Sequence, residues 1–149
     1  MRRLSILGSL VLVSMGLVRA AQAGTPEDAI KYRQAVMSTL AGHIGAITMI
    51  FGGKVEHQDY LLAHAEALAS GAEQTAKLFP AGSGTGKTDA LPLVWEDAAG
   101  FAKAAEAGKT ATAALRDAVK SGDKAAIGRS LKPVFDSCKG CHDRFRKEG

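Results

Sequence analysis

Cys138-Lys139-Gly140-Cys141-His142 places two thiols and an imidazole within five consecutive positions, seven residues from the C-terminus. C-x-x-C-H is the attachment signature of a c-type haem. Its thiols can form thioether bonds to porphyrin vinyl groups, and its histidine is then held under the iron as the proximal ligand. A chain that carries it has to fold around that group. Two other readings are weaker. A redox dithiol usually sits where a strand meets a helix, and no strand pattern precedes this one. A zinc site needs about four ligands. No other cysteine is present, and His43, His57 and His64 show no paired ligand spacing.

The N-terminus agrees with export. Arg2 and Arg3 form a basic start, Leu4 to Val18 is an uncharged apolar run, and Ala21-Gln22-Ala23 is an A-x-A cleavage site. The apolar run is 15 residues, short of the roughly 20 that a membrane span needs. Residues 1–23 therefore read as a cleaved signal peptide, leaving one domain, 24–149, with no membrane anchor. Cleavage removes Arg2, Arg3 and Arg19, so Lys plus Arg falls from 19 to 16 against 15 acidic residues, a net +1. There is no basic stripe for phosphate contacts, which argues against a nucleic-acid partner. Export makes a Cys138–Cys141 disulfide chemically accessible, but a disulfide leaves His142 unexplained. The compartment expected is the periplasm.

Helical periodicity is clear in four places, and no alternating strand pattern is convincing. The first helix is expected over Pro26–Phe51, with Thr25 as N-cap, Pro26 at the first helical position and Gly52-Gly53 as its end. Ile30, Arg33, Met37, Leu40, Ile44, Ile47 and Phe51 make one stripe at steps of three and four. The second helix spans about Gln58–Phe79, with Leu61, Ala65, Leu68, Ala72, Ala76 and Phe79 inward, stopped by Pro80. Residues 81–92 read as a flexible connection; its Gly82–Thr88 stretch lacks the spacing and preceding strand of a phosphate-binding loop. The third helix spans about Leu93–Lys120, with an alanine-rich stripe through Ala98, Phe101, Ala105 and Leu115. The fourth spans about Lys124–Arg146, with Ile127, Leu131, Val134, Cys138, Cys141 and Phe145 inward and Pro133 expected to bend it. Four helices with short links make an all-α, antiparallel four-helix bundle. The alanine stripe leaves central space that one covalently attached haem fills.

With the motif on a last helix, the chain resembles the class II c-type cytochromes, the cytochrome c′ family and its low-spin, methionine-ligated relatives. The strongest stretches are Pro26 to Gln34, Val94-Trp95 and Cys138 to Arg146. Class I cytochromes carry C-x-x-C-H early and a methionine ligand downstream; here no methionine follows His142. The resemblance implies one haem c, bound through Cys138 and Cys141 with His142 on the iron. It further implies an environment of Arg33 beside a propionate, Arg146 flanking the proximal pocket, and Trp95. From the residues alone, Arg33 is a cation on an apolar stripe that either pairs with an anion or snorkels. Arg146 equally fits a solvated site beside Arg144 and Lys147, and Trp95 fits plain core packing.

By the same resemblance Met37 lies over the iron. Ligation by its thioether suits a periplasmic electron carrier, and this is the function expected, with unidentified redox partner proteins. Methionine is also a common core filler. The alternative is a five-coordinate cytochrome c′ that binds nitric oxide or carbon monoxide at an open face. His43 and His64 read as surface histidines flanking their stripes. No nucleophile–base pair or carboxylate dyad has convincing spacing, so an enzyme is not expected. Homodimerisation through the first two helices is implied by the family.

Overall fold

Thr25 opens the first helix through a reciprocal cap. Its hydroxyl accepts from the Asp28 N–H at 3.1 Å while the Asp28 carboxylate accepts from the Thr25 N–H at 3.0 Å, so two otherwise orphaned donors are satisfied. Helix α1 then runs Pro26–Phe51, and Gly53 turns the chain at φ 65°, a conformation that costs glycine little. These elements belong to a computed structural model that describes residues 24–148. Residues 1–23, expected to be a cleaved signal peptide, lie outside the described residues.

Helix α2 covers Leu61–Glu73 and is shorter than the periodicity predicts, because 3-10 turns at Gln58–Tyr60 and Thr75–Leu78 flank it. The tighter turn changes the register: Ala76, expected inward, is exposed, and Leu78 is buried instead. The third predicted helix is two. Helix α3 is the single turn Leu93–Glu96, and α4 runs Ala98–Ser121. Asp97 breaks the chain between them at φ −116°, ψ 61°, and its carboxylate accepts from the Gly100 N–H at 3.0 Å. Ala98, expected inward, is exposed. Helix α5, Lys124–Phe145, starts on Asp123, whose carboxylate caps the N–H groups of Ala125 and Ala126. It continues through Pro133.

Helix α1 packs on α2, α2 on α4 and α4 on α5, completing the antiparallel four-helix bundle. No strand forms among the described residues; Ala90 and Arg146 make one isolated bridge. Helices α1 and α2 approach closely at Gly71, where an added Cβ would lie 2.6 Å from the Leu40 methyl. One apolar cluster centres on Ile47, Leu115 and Val134, all fully buried. Truncating a side chain such as Leu115 there costs about 2–5 kcal/mol. A second cluster joins Val94, Phe101 and Phe145, with the Phe79, Phe101 and Phe145 rings meeting edge-on.

The 80–92 connection is tied down rather than flexible. Arg33, only 3% exposed, donates to the Ser83 hydroxyl and carbonyl, each at 2.8 Å, and to the Thr88 hydroxyl at 2.6 Å. The C-terminal end of α5 is stitched to the same connection: Leu91 N–H donates to Phe145 O at 2.9 Å and Lys147 N–H to Asp89 O at 2.8 Å. The connection thus closes one end of the bundle.

Candidate cofactor site

The bundle encloses a cavity of about 250 Å³ between the two apolar clusters. Helix α1 contributes Met37, Leu40, Ala41 and Ile44, an apolar wall with one sulfur. Helix α4 contributes Ala104, Ala105, Gly108 and Thr112, so the small-residue stripe does leave space beside it. Thr112 spends its hydroxyl on the Gly108 and Lys109 carbonyls. Helix α5 brings Cys138, Cys141, His142 and Arg146 to the same space. The helical repeat does this: positions 138, 141, 142 and 145 fall on one face.

Five of the seven residues singled out in the sequence therefore share one cavity: Met37, Cys138, Cys141, His142 and Arg146. Both cysteines are free, Cys141 half-buried and Cys138 exposed. The apolar surroundings push both thiols up, and at Cys141 the neighbouring Cys138 adds to the effect. Burial, then the Arg146 cation, lowers His142 against an opposing pull from Asp143. A histidine held below its usual range is neutral at pH 7, the form that binds a metal.

Arg33 and Trp95 do not line the cavity. The Arg33 guanidinium is satisfied by hydroxyls and a carbonyl, with no carboxylate partner. It also lies over the Phe79 ring at 4.8 Å and the Trp95 ring at 5.9 Å. Burial alone lowers its pKa. Trp95 Nε1–H donates to the Phe79 carbonyl at 3.1 Å and the Pro80 carbonyl at 3.2 Å, and its ring packs on Gly84. Both residues hold the connection over the bundle end. Phe79 links the two regions, because Arg33 covers it and it lines the cavity. Ser83 and Thr88 escaped the sequence reading: they lie 50 and 55 positions from their arginine, beyond any local pattern.

The donor set fits a covalently held haem. Two unpaired thiols and a neutral imidazole lie within one turn and a half of helix, facing a space that is otherwise almost wholly apolar. No cluster of three or more His, Cys, Asp or Glu that could hold a bare metal ion exists at this cavity or elsewhere among the described residues.

The comparisons point the same way. The family model described as Cytochrome C′ matches residues 28–146. A cytochrome c′ of Rhodospirillum rubrum is 32% identical over 149 residues, covering 99% of this chain and 100% of that protein. The crystal structure of cytochrome c′ from Rubrivivax gelatinosus superposes with a TM-score of 0.78 at 34% identity, over 85% of this chain and all of that one. A nitric oxide complex of a cytochrome c prime variant from Alcaligenes xylosoxidans has a TM-score of 0.78 at 32% identity, over 86% and 100%.

Proposed function

We propose, from the premise that this chain belongs to the cytochrome c′ family and carries its one covalently bound haem c, that it binds a small neutral diatomic gas, nitric oxide or carbon monoxide, on the α1 side of the cavity. In this reading Cys138 and Cys141 carry the thioether bonds and His142 gives its nitrogen to the iron. When bound, the haem would supply an iron able to take a small ligand such as a diatomic gas.

One observation carries the reading: the α1 wall of the cavity is Met37, Leu40, Ala41 and Ile44, without a hydrogen-bond donor. Distal polarity and access decide what a haem does. A wall that cannot donate gives no help to bound dioxygen, which gains negative charge, and favours ligands that need none. It also excludes water, which would have to give up its hydrogen bonds there. The nitric oxide complex of the relative supports the same chemistry. Met37 acts here as a flexible apolar cover. Arg146 lines the cavity on the α5 side, and its charge adds to burial in lowering the His142 pKa. Export by the N-terminal segment puts this activity in the periplasm.

A second reading is electron transfer with Met37 as sixth ligand. It is favoured by one observation, that the Met37 thioether is the one donor atom on the α1 wall. Carbon monoxide binding to the reduced protein separates the two. Under the gas-binding reading the wild type is high-spin and binds it, and Met37→Ala only speeds entry. Under the second reading the wild type is low-spin and only the variant binds readily.

A further inference from the structure

Away from the haem cavity, His43 on α1 and His64 on α2 meet with their Nδ1 atoms 2.9 Å apart. Their ring centroids are 5.2 Å apart and the planes 54° apart. Neither residue lines the cavity. His64 instead borders an open hollow with Met49, His57 and Tyr60, so the pair is reachable from solvent. A nitrogen–nitrogen contact this short requires one ring to donate from Nδ1 and the other to offer a lone pair there. At least one ring is therefore neutral. Burial and the proximity of His64 lower His43, which keeps its imidazole in the form that metals take.

We propose that His43 and His64 form a two-histidine site for a divalent transition-metal ion of the copper or nickel class, tying α1 to α2. The metal takes the place of the bridging proton, which moves to Nε2 of the same ring. Binding to two neutral rings thus releases no net proton. Metal–nitrogen bonds of about 2.0–2.1 Å on nitrogens 2.9 Å apart set an angle of about 90° at the ion. That is the cis angle of square-planar or tetragonal coordination, the geometry of Cu²⁺ and Ni²⁺. Tetrahedral zinc needs nitrogens about 3.3 Å apart at the same bond length, wider than the 2.9 Å seen here, so the observed spacing favours the 90° geometry. The ion lies off the line between the nitrogens, so each ring swings about 45°, a motion that the broad second torsion of histidine accommodates. No third protein ligand of the His, Cys, Asp or Glu type completes a cluster among the described residues; water fills the remaining positions. The bundle positions both rings, because the Gly71–Leu40 approach holds α1 and α2 close.

The test is titration of the tag-free holoprotein with Cu²⁺ at pH 7.5, followed by calorimetry and by electron paramagnetic resonance. With the haem attached, Cys138, Cys141 and His142 do not compete. One equivalent is expected, with the spectrum of two nitrogen ligands. His43→Gln and His64→Gln should each weaken it by about tenfold or more, His57→Gln should leave it unchanged, and Zn²⁺ should bind about tenfold or more weakly than Cu²⁺. The haem absorption band reports that each variant is folded, and the nitrogen count in the wild type stands without any variant. Wild-type affinity in both glutamine variants, loss on His57→Gln, or no stoichiometric Cu²⁺ would overturn the proposal.

Discussion

Replacing Arg33 by alanine separates two roles for a buried cation: anchoring the 80–92 connection, or pairing with a haem propionate. The structure gives three donated bonds, two to Ser83 and one to Thr88, and two aromatic faces, Phe79 and Trp95. Hydrogen bonds to a charged group are worth about 1.5–3 kcal/mol each, which for three is an upper bound. Two of the acceptors keep another partner after truncation: Ser83 Oγ still donates to the Pro80 carbonyl, and Thr88 Oγ1 still accepts from the Ala90 N–H. The Ser83 carbonyl loses its arginine donor. With the lost cation–π contacts, at about 0.5–2 kcal/mol, the net cost is about 2–4 kcal/mol. For a domain of this size each kcal/mol moves the midpoint by roughly 3–4 °C, so Arg33→Ala should melt about 6–16 °C lower. Circular dichroism of the holoprotein measures the melt, and limited proteolysis should cut the variant first within residues 81–92. A variant that melts within 2 °C of wild type yet shifts the haem reduction potential would refute the anchoring argument and restore the propionate.

Two further outcomes follow from the same geometry. Asp97→Ala removes the cap of α4 and the partner of Arg144; it should cost about 1–2 kcal/mol in urea denaturation, while Asp97→Asn should recover most of the loss. The folded-state pKa of His43 lies below its ordinary 6.5, so the unfolded chain binds more protons just below that pH, and stability rises with pH across that window. His43→Gln should flatten the dependence of the urea midpoint on pH just below the ordinary histidine range; an unchanged slope would show that His43 does not titrate with folding.

The elements most legible in the sequence were those whose ends are local. Thr25 with Pro26 and Gly52 bounded α1, and Asp123 marked the start of α5, because caps act over three or four residues. The cavity was legible for a related reason: one stripe carries Met37 and another carries Cys138 and Cys141, with His142 one turn from Cys138, so helical register alone brings them to one space, although Cys138, expected inward, is exposed. The break at Asp97 was hidden by Val94 and Ala98, whose spacing of four is what an unbroken helix shows; the aspartate with Gly100 three positions on was the overlooked cap. Arg33 was read as either pairing with an anion or snorkelling; it is buried and does neither, its partners coming from a connection some fifty residues away. The approach of His43 to His64 likewise depends on how α1 packs against α2, which neither residue's own helix specifies. The balance between gas binding and electron transfer moved for a different reason: every Met37 observation fits both, whereas the donor-free wall and the relative's nitric oxide complex favour the first.

The most direct test of the central claim is the optical spectrum of the purified, reduced holoprotein before and after carbon monoxide is added. The account predicts a high-spin spectrum that changes on addition of the gas in the wild type, with Met37 intact. A low-spin spectrum that carbon monoxide leaves unchanged, and that becomes responsive only in Met37→Ala, would contradict it and make Met37 an iron ligand.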